Sequence, residues 1–367
     1  MDTQRPVLLA AGGTGGHLFP AEALAAELNK RGIPVELVTD PRAREYAGTF
    51  PARAVHAVES ATFGSKSPLA VFRTAIKLGR GLGESMALIK RINPRCIVGF
   101  GGYPSLPPLA AAQLLGVPNI IHEQNAVMGR ANRLLAARAT RIATGFPKLT
   151  NVKPAIAAKA VHIGNPVRAA VLDAACPYVP PDEHGEIRIL AFGGSQGARV
   201  MSVTVPPALA ALDRGLRSRI KVVQQARAED VDNATATYLK AGIQAETTPF
   251  FRDLPQRMAD AHLVIARSGA STVAELAVIG RPSILVPLPH SLDNDQLENA
   301  KLLSEAGGST LVLQDQFTPT FLTRLLTDLL ATPQTLAAQA KAASAFARPD
   351  AAARLADLVV ETGATSY

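Results

Sequence analysis

The feature that most limits the fold is a unit that recurs along the chain: a short apolar strand pattern, a glycine-rich turn, then a segment of helical period. Residues 6–11 (PVLLAA) run into Gly12-Gly13-Thr14-Gly15-Gly16-His17, with a helix expected over about 20–30 and a second strand over 33–39. Residues 96–100 lead to Gly101-Gly102-Tyr103-Pro104, and residues 187–192 lead to Gly193-Gly194-Ser195-Gln196-Gly197. Uninterrupted apolar strands need cover on both faces, which places them in parallel sheets flanked by helices. Further strands are expected at 117–121, 141–144, 160–165, 221–225, 245–250, 263–266, 283–287 and 309–313. A helical tail over about 319–362 is broken near Pro333 and Pro349. The units divide about evenly near residue 165, so the expectation is an α/β chain of two Rossmann-like doubly wound domains facing across a cleft. Their expected spans are 1–164 and 165–340, with 341–367 a tail packing back on the first.

Composition narrows the class. With 47% hydrophobic and 19% charged residues the chain is globular. No apolar run approaches the roughly 18 residues of a spanning helix, and the first residues lack the regions of a signal peptide. Cys96 and Cys176 show no metal or redox spacing and fit a reducing compartment. The formal charge of +8 points to anionic partners such as a nucleotide, a pyrophosphate or an acidic lipid surface. Residues 65–95 carry Lys66, Arg73, Lys77, Arg80, Lys90, Arg91 and Arg95 against Glu84, interleaved with apolar residues at partly helical spacing. Such a helix suits an anionic membrane surface as well as it suits plain solvent.

The most informative single stretch is 267–299. Ser268 and Gly269 allow close backbone approach, and a helix follows, with Gly280 and Pro282 as its stop. Its free N–H groups and partial positive charge suit a nucleotide diphosphate, with Glu275 one turn in to meet ribose hydroxyls. The polar run from His290 to Asn299, including Gln296, suits sugar hydroxyls. Asp293-Asn294-Asp295 formally makes a DxD, but late in the chain after a proline-rich turn, so no metal and no cofactor is expected. The first glycine turn lacks a closing GK[ST] and lacks the third glycine of a dinucleotide fingerprint, which counts against an NAD-dependent oxidoreductase. Neither a stacking platform nor a recognition helix supports nucleic-acid binding. His17, whose imidazole titrates near neutrality, is a candidate proton acceptor. So is Glu123, in the polar cluster His122-Glu123-Gln124-Asn125 at a strand end, an order that is not the zinc signature HExxH.

In one order across nearly the whole chain stand GGTGGHLFPAEALAAEL, GGYPSLPPL, HEQNAVMGRANRLL, GNPVR, FGGSQGA and RSGASTVAEL. This set resembles the MurG family, the UDP-N-acetylglucosamine:undecaprenyl-pyrophosphoryl-MurNAc-pentapeptide N-acetylglucosaminyltransferases of peptidoglycan synthesis. The resemblance implies the GT-B fold, an N-terminal domain for the acceptor lipid I and a C-terminal domain for UDP-GlcNAc. It implies an inverting transfer that yields lipid II, at the cytoplasmic face of the bacterial inner membrane, among other cell-wall and division proteins. For the donor it implies contacts from Thr14, Gly15, Gly16, Asn125, Arg168 and Ser195, and from Phe251 beside the uracil. To these it adds the helix start Ala270, Ser271, Thr272, Val273, Ala274 and Glu275, with Gln296 on the sugar. His17 is then the first choice of base and Glu123 the second. Leu106 stands where many relatives carry glycine, and the DHQ often found near Gln296 is absent. Other readings are a different GT-B enzyme using UDP-sugars, such as a glycolipid transferase or a UDP-GlcNAc 2-epimerase.

Overall fold

The computed structural model describes residues 5–12, 15–40, 50–60, 68–150, 152–194 and 198–364, without the side chains of 68–71 and 292. The chain divides into two compact units, 1–168 with 349–367, and 169–348. These divisions fall a few residues after those expected near 164 and 340.

The first unit holds a parallel sheet of β1 (Val7–Ala10), β2 (Val35–Thr39), β3 (Ala54–Ala57), β4 (Cys96–Gly99), β5 (Asn119–Glu123), β6 (Arg141–Thr144) and β7 (Ala160–His162), in the order β3-β2-β1-β4-β5-β6-β7. The second holds β8 (Ile187–Phe192), β9 (Ile220–Gln225), β10 (Gln244–Thr248), β11 (Leu263–Ala266), β12 (Ser283–Leu285) and β13 (Ser309–Leu311), ordered β10-β9-β8-β11-β12-β13. Each sheet therefore reverses its winding beside its first strand, between β1 and β4 and between β8 and β11. At such reversals the loops part and leave a ligand crevice at the strand C-termini. Val7, Leu8, Leu9 and Ala10 are wholly buried, as are Leu263, Val264, Ile265 and Ala266, because helices cover both faces.

Two local expectations change. The first helix spans Gly15–Lys30 and so begins before Pro20, which lies inside it. A sequence pattern sets a helix start at proline because proline suits the first turn, yet here two glycines and His17 form that turn. β3 was not expected: AVHA is short, half-exposed and on the sheet edge, so it lacks the apolar run of the inner strands.

The chain returns to the first unit through the helix Ala351–Ala364, whose Leu355, Leu358 and Val359 join the core containing Leu24 and Leu28 of the helix Gly15–Lys30. Burial of each such side chain contributes about 1.5–3 kcal/mol. The exposed pair of Arg31 and Asp357, 2.6 Å apart, contributes at most about 1 kcal/mol. Apolar packing therefore holds the tail in place.

Candidate active site

In the first unit the functional side chains gather where β1, β4 and β5 end. Gly15 opens the helix, and a Cβ there would stand 2.9 Å from the Phe19 ring. That ring in turn carries the Arg168 guanidinium 3.8 Å from its centroid. Arg168 thus lies over an aromatic face, and its buried Nε makes no hydrogen bond among the described residues. Stacking on an aromatic face while keeping a planar fork of donors is what suits arginine to phosphate oxygens. Beside it, burial raises the Glu22 carboxyl while Arg168 pulls it down.

The second glycine turn holds His17. Gly102 has φ +71, and a Cβ added there would lie 3.2 Å from the imidazole Cδ2 and Nε2, so only glycine lets the turn cup the ring. His17 Nδ1 is buried without a hydrogen bond among the described residues. Burial lowers the His17 pKa, opposed by the Phe100 carbonyl and the Gln124 side chain. An imidazole kept neutral at pH 7 is a competent proton acceptor.

Strand alternation sends His122 and Glu123 to opposite faces of β5. Gln124 Nε2 donates to the Phe100 carbonyl at 2.7 Å and to His122 Nδ1 at 3.2 Å. Nδ1 is therefore an acceptor, and the neutral ring carries its proton on Nε2, 3.4 Å from the Gly164 carbonyl. Burial lowers the His122 pKa to about 4, the Gly164 contact raises it and His17 lowers it further. Glu123 is 1% exposed, and its carboxylate accepts from Asn125 N (3.1 Å), Gly129 N (2.9 Å) and Asn132 Nδ2 (2.8 Å). Burial raises its pKa against those donors.

The buried neutral His122 makes the protein acid-sensitive. Above about pH 6.5 the imidazole is neutral in folded and unfolded chains alike. Between there and about 4 the unfolded chain takes a proton that the folded one refuses, so stability falls with pH, by about 3 kcal/mol once complete. We expect His122→Asn to flatten the fall in melting temperature over this range, even from a lower start. His262 of the second unit, also lowered to about 4, keeps part of the slope. An equally steep fall in His122→Asn would remove this assignment.

In the second unit the helix Ala270–Ile279 starts from an extended Gly269 with no side-chain cap, and Gly280 ends it in left-handed conformation. Ala270, Ser271, Thr272, Val273, Ala274 and Glu275 form its first turn and a half, with Val273 and Glu275 buried. The helix Asp295–Glu305 braces this start: Ser268 Oγ donates to the Gln296 carbonyl at 2.8 Å and Asn299 Nδ2 to the Ser268 carbonyl at 3.2 Å. Gln296 Oε1 accepts from Leu288 N at 3.0 Å, so part of its amide is committed to the loop. In that loop His290, Asp293 and Asn294 take positive φ. Among the described residues no group of three or more His, Cys, Asp or Glu side chains is gathered to hold a metal.

One placement bears on the uracil contact expected of Phe251. The Phe251 ring is 7% exposed and lies under the Arg257 guanidinium at 4.5 Å, itself paired with Asp253 and Glu246. The open aromatic face of this turn is that of Phe250, 62% exposed. Thr14 and Ser195 lie outside the described residues. Sequence reasoning missed Arg267, which is 8% exposed. It donates to the Val286 and Pro287 carbonyls at 3.0 and 2.9 Å and to Gln314 Oε1. No carboxylate pairs with it among the described residues, and burial lowers it to about 10. Its position just before the Ser268-Gly269 turn was the available signal.

Two parallel-sheet α/β units of this winding, each with a glycine turn after its first strand, have the GT-B architecture. Models of the glycosyltransferase family 28 N-terminal and C-terminal domains match residues 7–144 and 188–355. A UDP-N-acetylglucosamine--N-acetylmuramyl-(pentapeptide) pyrophosphoryl-undecaprenol N-acetylglucosamine transferase from Methylobacterium nodulans is 58% identical over 97% of this chain and 96% of its own. The crystal structure of Acinetobacter baumannii MurG superposes with a TM-score of 0.79 at 28% identity, over 97% of this chain and 99% of that one. A UDP-N-acetylglucosamine 2-epimerase, at TM-score 0.71 and 14% identity over 100% of this chain and 98% of that one, shares the fold alone. The chain belongs to the MurG family of N-acetylglucosaminyltransferases.

Proposed function

We propose that this enzyme moves GlcNAc from UDP-GlcNAc to the C4 hydroxyl of MurNAc in lipid I, with inversion at the sugar C1, giving lipid II. The observation that carries the catalytic part is His17, a neutral imidazole cupped by Gly101 and Gly102 in the first turn of a helix. In a single displacement His17 takes the acceptor proton as the C4 oxygen attacks C1, and UDP departs with growing negative charge. Glycine-turn N–H groups around Gly15 and Gly16, the start of the helix Ala270–Ile279 and the stacked Arg168 stabilise that charge without a metal. Arg267 adds a buried positive charge with no carboxylate against it among the described residues. Glu275 and Asn125 bind ribose and donor oxygens, and Gln296 uses the rest of its amide for the sugar. Thr14 and Ser195 complete the set on the family pattern. Glu123 shapes the 125–132 loop rather than moving a proton, since its carboxylate is buried and already receives donors from Asn125, Gly129 and Asn132.

No helix among the described residues is long and apolar enough to cross a membrane. The helix Pro68–Ile92 presents exposed Phe72 and Ile76 beside exposed Arg73, Lys77 and Arg80. This supports peripheral association with the anionic cytoplasmic face of the inner membrane, where lipid I and the wall-synthesis machinery reside. The double variant Phe72→Ser, Ile76→Ser should bind anionic vesicles about tenfold more weakly. Unchanged sedimentation with those vesicles would move the membrane contact elsewhere.

The function is tested by transfer of labelled GlcNAc from UDP-GlcNAc to a short-chain lipid I analogue, with an acceptor-free control. An acceptor-dependent disaccharide supports it. Donor binding without transfer removes the acceptor assignment.

A further inference from the structure

Gln225 closes β9, the strand between β8 and β10, and its amide reaches the turns that follow both neighbours. Oε1 accepts from Gly193 N at 3.1 Å, and Nε2 donates to the Pro249 carbonyl at 3.1 Å. The side chain is 5% exposed, so neither bond competes with much water. Gln224, one residue earlier, faces the opposite side of the sheet and accepts the Tyr238 hydroxyl. The two turns offer different chemistry. Gly194 has φ +87 and, among the described residues, no heavy atom within 4 Å of a Cβ position, so an anion can approach its backbone closely. The other turn carries the exposed ring of Phe250, a flat surface for a planar base.

We propose that Gln225 is a positioning residue that sets the spacing of these turns, so that the diphosphate and the base of the donor are held together. This rests on the nucleotide reading given above. Two half-sites held at the right separation bind a linked ligand far better than either half, because the second contact is intramolecular. Loosening the bracket costs that advantage and leaves each half-site nearly intact.

The test compares wild type, Gln225→Met and Gln225→Glu in binding UDP, uridine and inorganic pyrophosphate, by calorimetry and, for the fragments, ligand-observed NMR. Met keeps the buried volume and removes both bonds. Glu keeps an acceptor for Gly193 N and sets an oxygen against the Pro249 carbonyl. In both variants UDP affinity is expected to fall about tenfold, while each fragment changes less than about twofold. The KM for UDP-GlcNAc rises with kcat nearly unchanged. Equal loss for all three probes, tracking a drop in melting temperature, would mean a merely structural glutamine and overturn the proposal. Unchanged UDP affinity overturns it as well. Wild type that binds none of the probes would instead bring down the nucleotide reading.

Discussion

Replacing His17 by alanine is expected to lower turnover by roughly 10²–10⁴ while leaving UDP-GlcNAc affinity within about twofold. General-base catalysis acts only as the acceptor proton leaves, so its loss falls on kcat, not on the donor complex. Packing favours this split: the ring sits against Gly101 and Gly102, and its removal leaves a gap beside two glycines without exposing a charged partner. The pH profile gives a second readout. Burial holds the folded pKa of His17 below its ordinary 6.5, so the neutral, active form persists to lower pH than for a free imidazole. The acid limb of kcat/KM should therefore lie below about pH 6.5 in wild type and disappear from the residual activity of His17→Ala. A variant with normal turnover, or one that keeps the acid limb, would take the proton-acceptor role away from His17.

Much of the fold was legible because parallel strands buried on both faces are written as uninterrupted apolar runs. Ile187–Phe192 and Leu263–Ala266 stand at the expected residues. β3 was not legible, because an edge strand half in water needs no such run. The helix start at Gly15 was hidden because glycine is a poor helix former, and only the tertiary need to place His17 between two glycine turns accounts for it. In the site, residue types at strand ends were readable, whereas their partners were not. HEQN announces polar groups at the end of β5, but which face each takes follows from a strand boundary two residues beyond the expected one. Phe250 and Phe251 are adjacent aromatics, and only the pairing of Arg257 with Asp253 and Glu246 decides which ring is covered. Arg267 and Gln225 were missed because their partners are mostly backbone carbonyls and N–H groups, which leave no mark in the sequence, and the side chain that Arg267 does meet, Gln314, is distant in the chain.

Glu123 gives the other large effect, and it is expected in stability. Truncation to alanine would strand the N–H groups of Asn125 and Gly129 and the Asn132 amide in a buried site, at an expected cost on the order of 3–5 kcal/mol. The isosteric Glu123→Gln separates bracing from catalysis. With its amide oxygen in the place of Oε2 it still accepts from Gly129 N and Asn132 Nδ2. Its NH2 then faces Asn125 N, so one bond is lost and the cost is about 1–2 kcal/mol. Asn132 Oδ1, which has no hydrogen bond among the described residues, is available to a rotated amide and can soften that loss further. If the carboxylate is a brace, Glu123→Gln melts a few degrees lower and retains at least about a third of wild-type turnover, while Glu123→Ala loses both fold and activity. If it were the base, the amide could not take a proton, and turnover would fall as far as in His17→Ala with little change in melting temperature. Thermal melts and kcat measured side by side on the two Glu123 variants therefore distinguish a loop held by a buried carboxylate from a carboxylate that does chemistry.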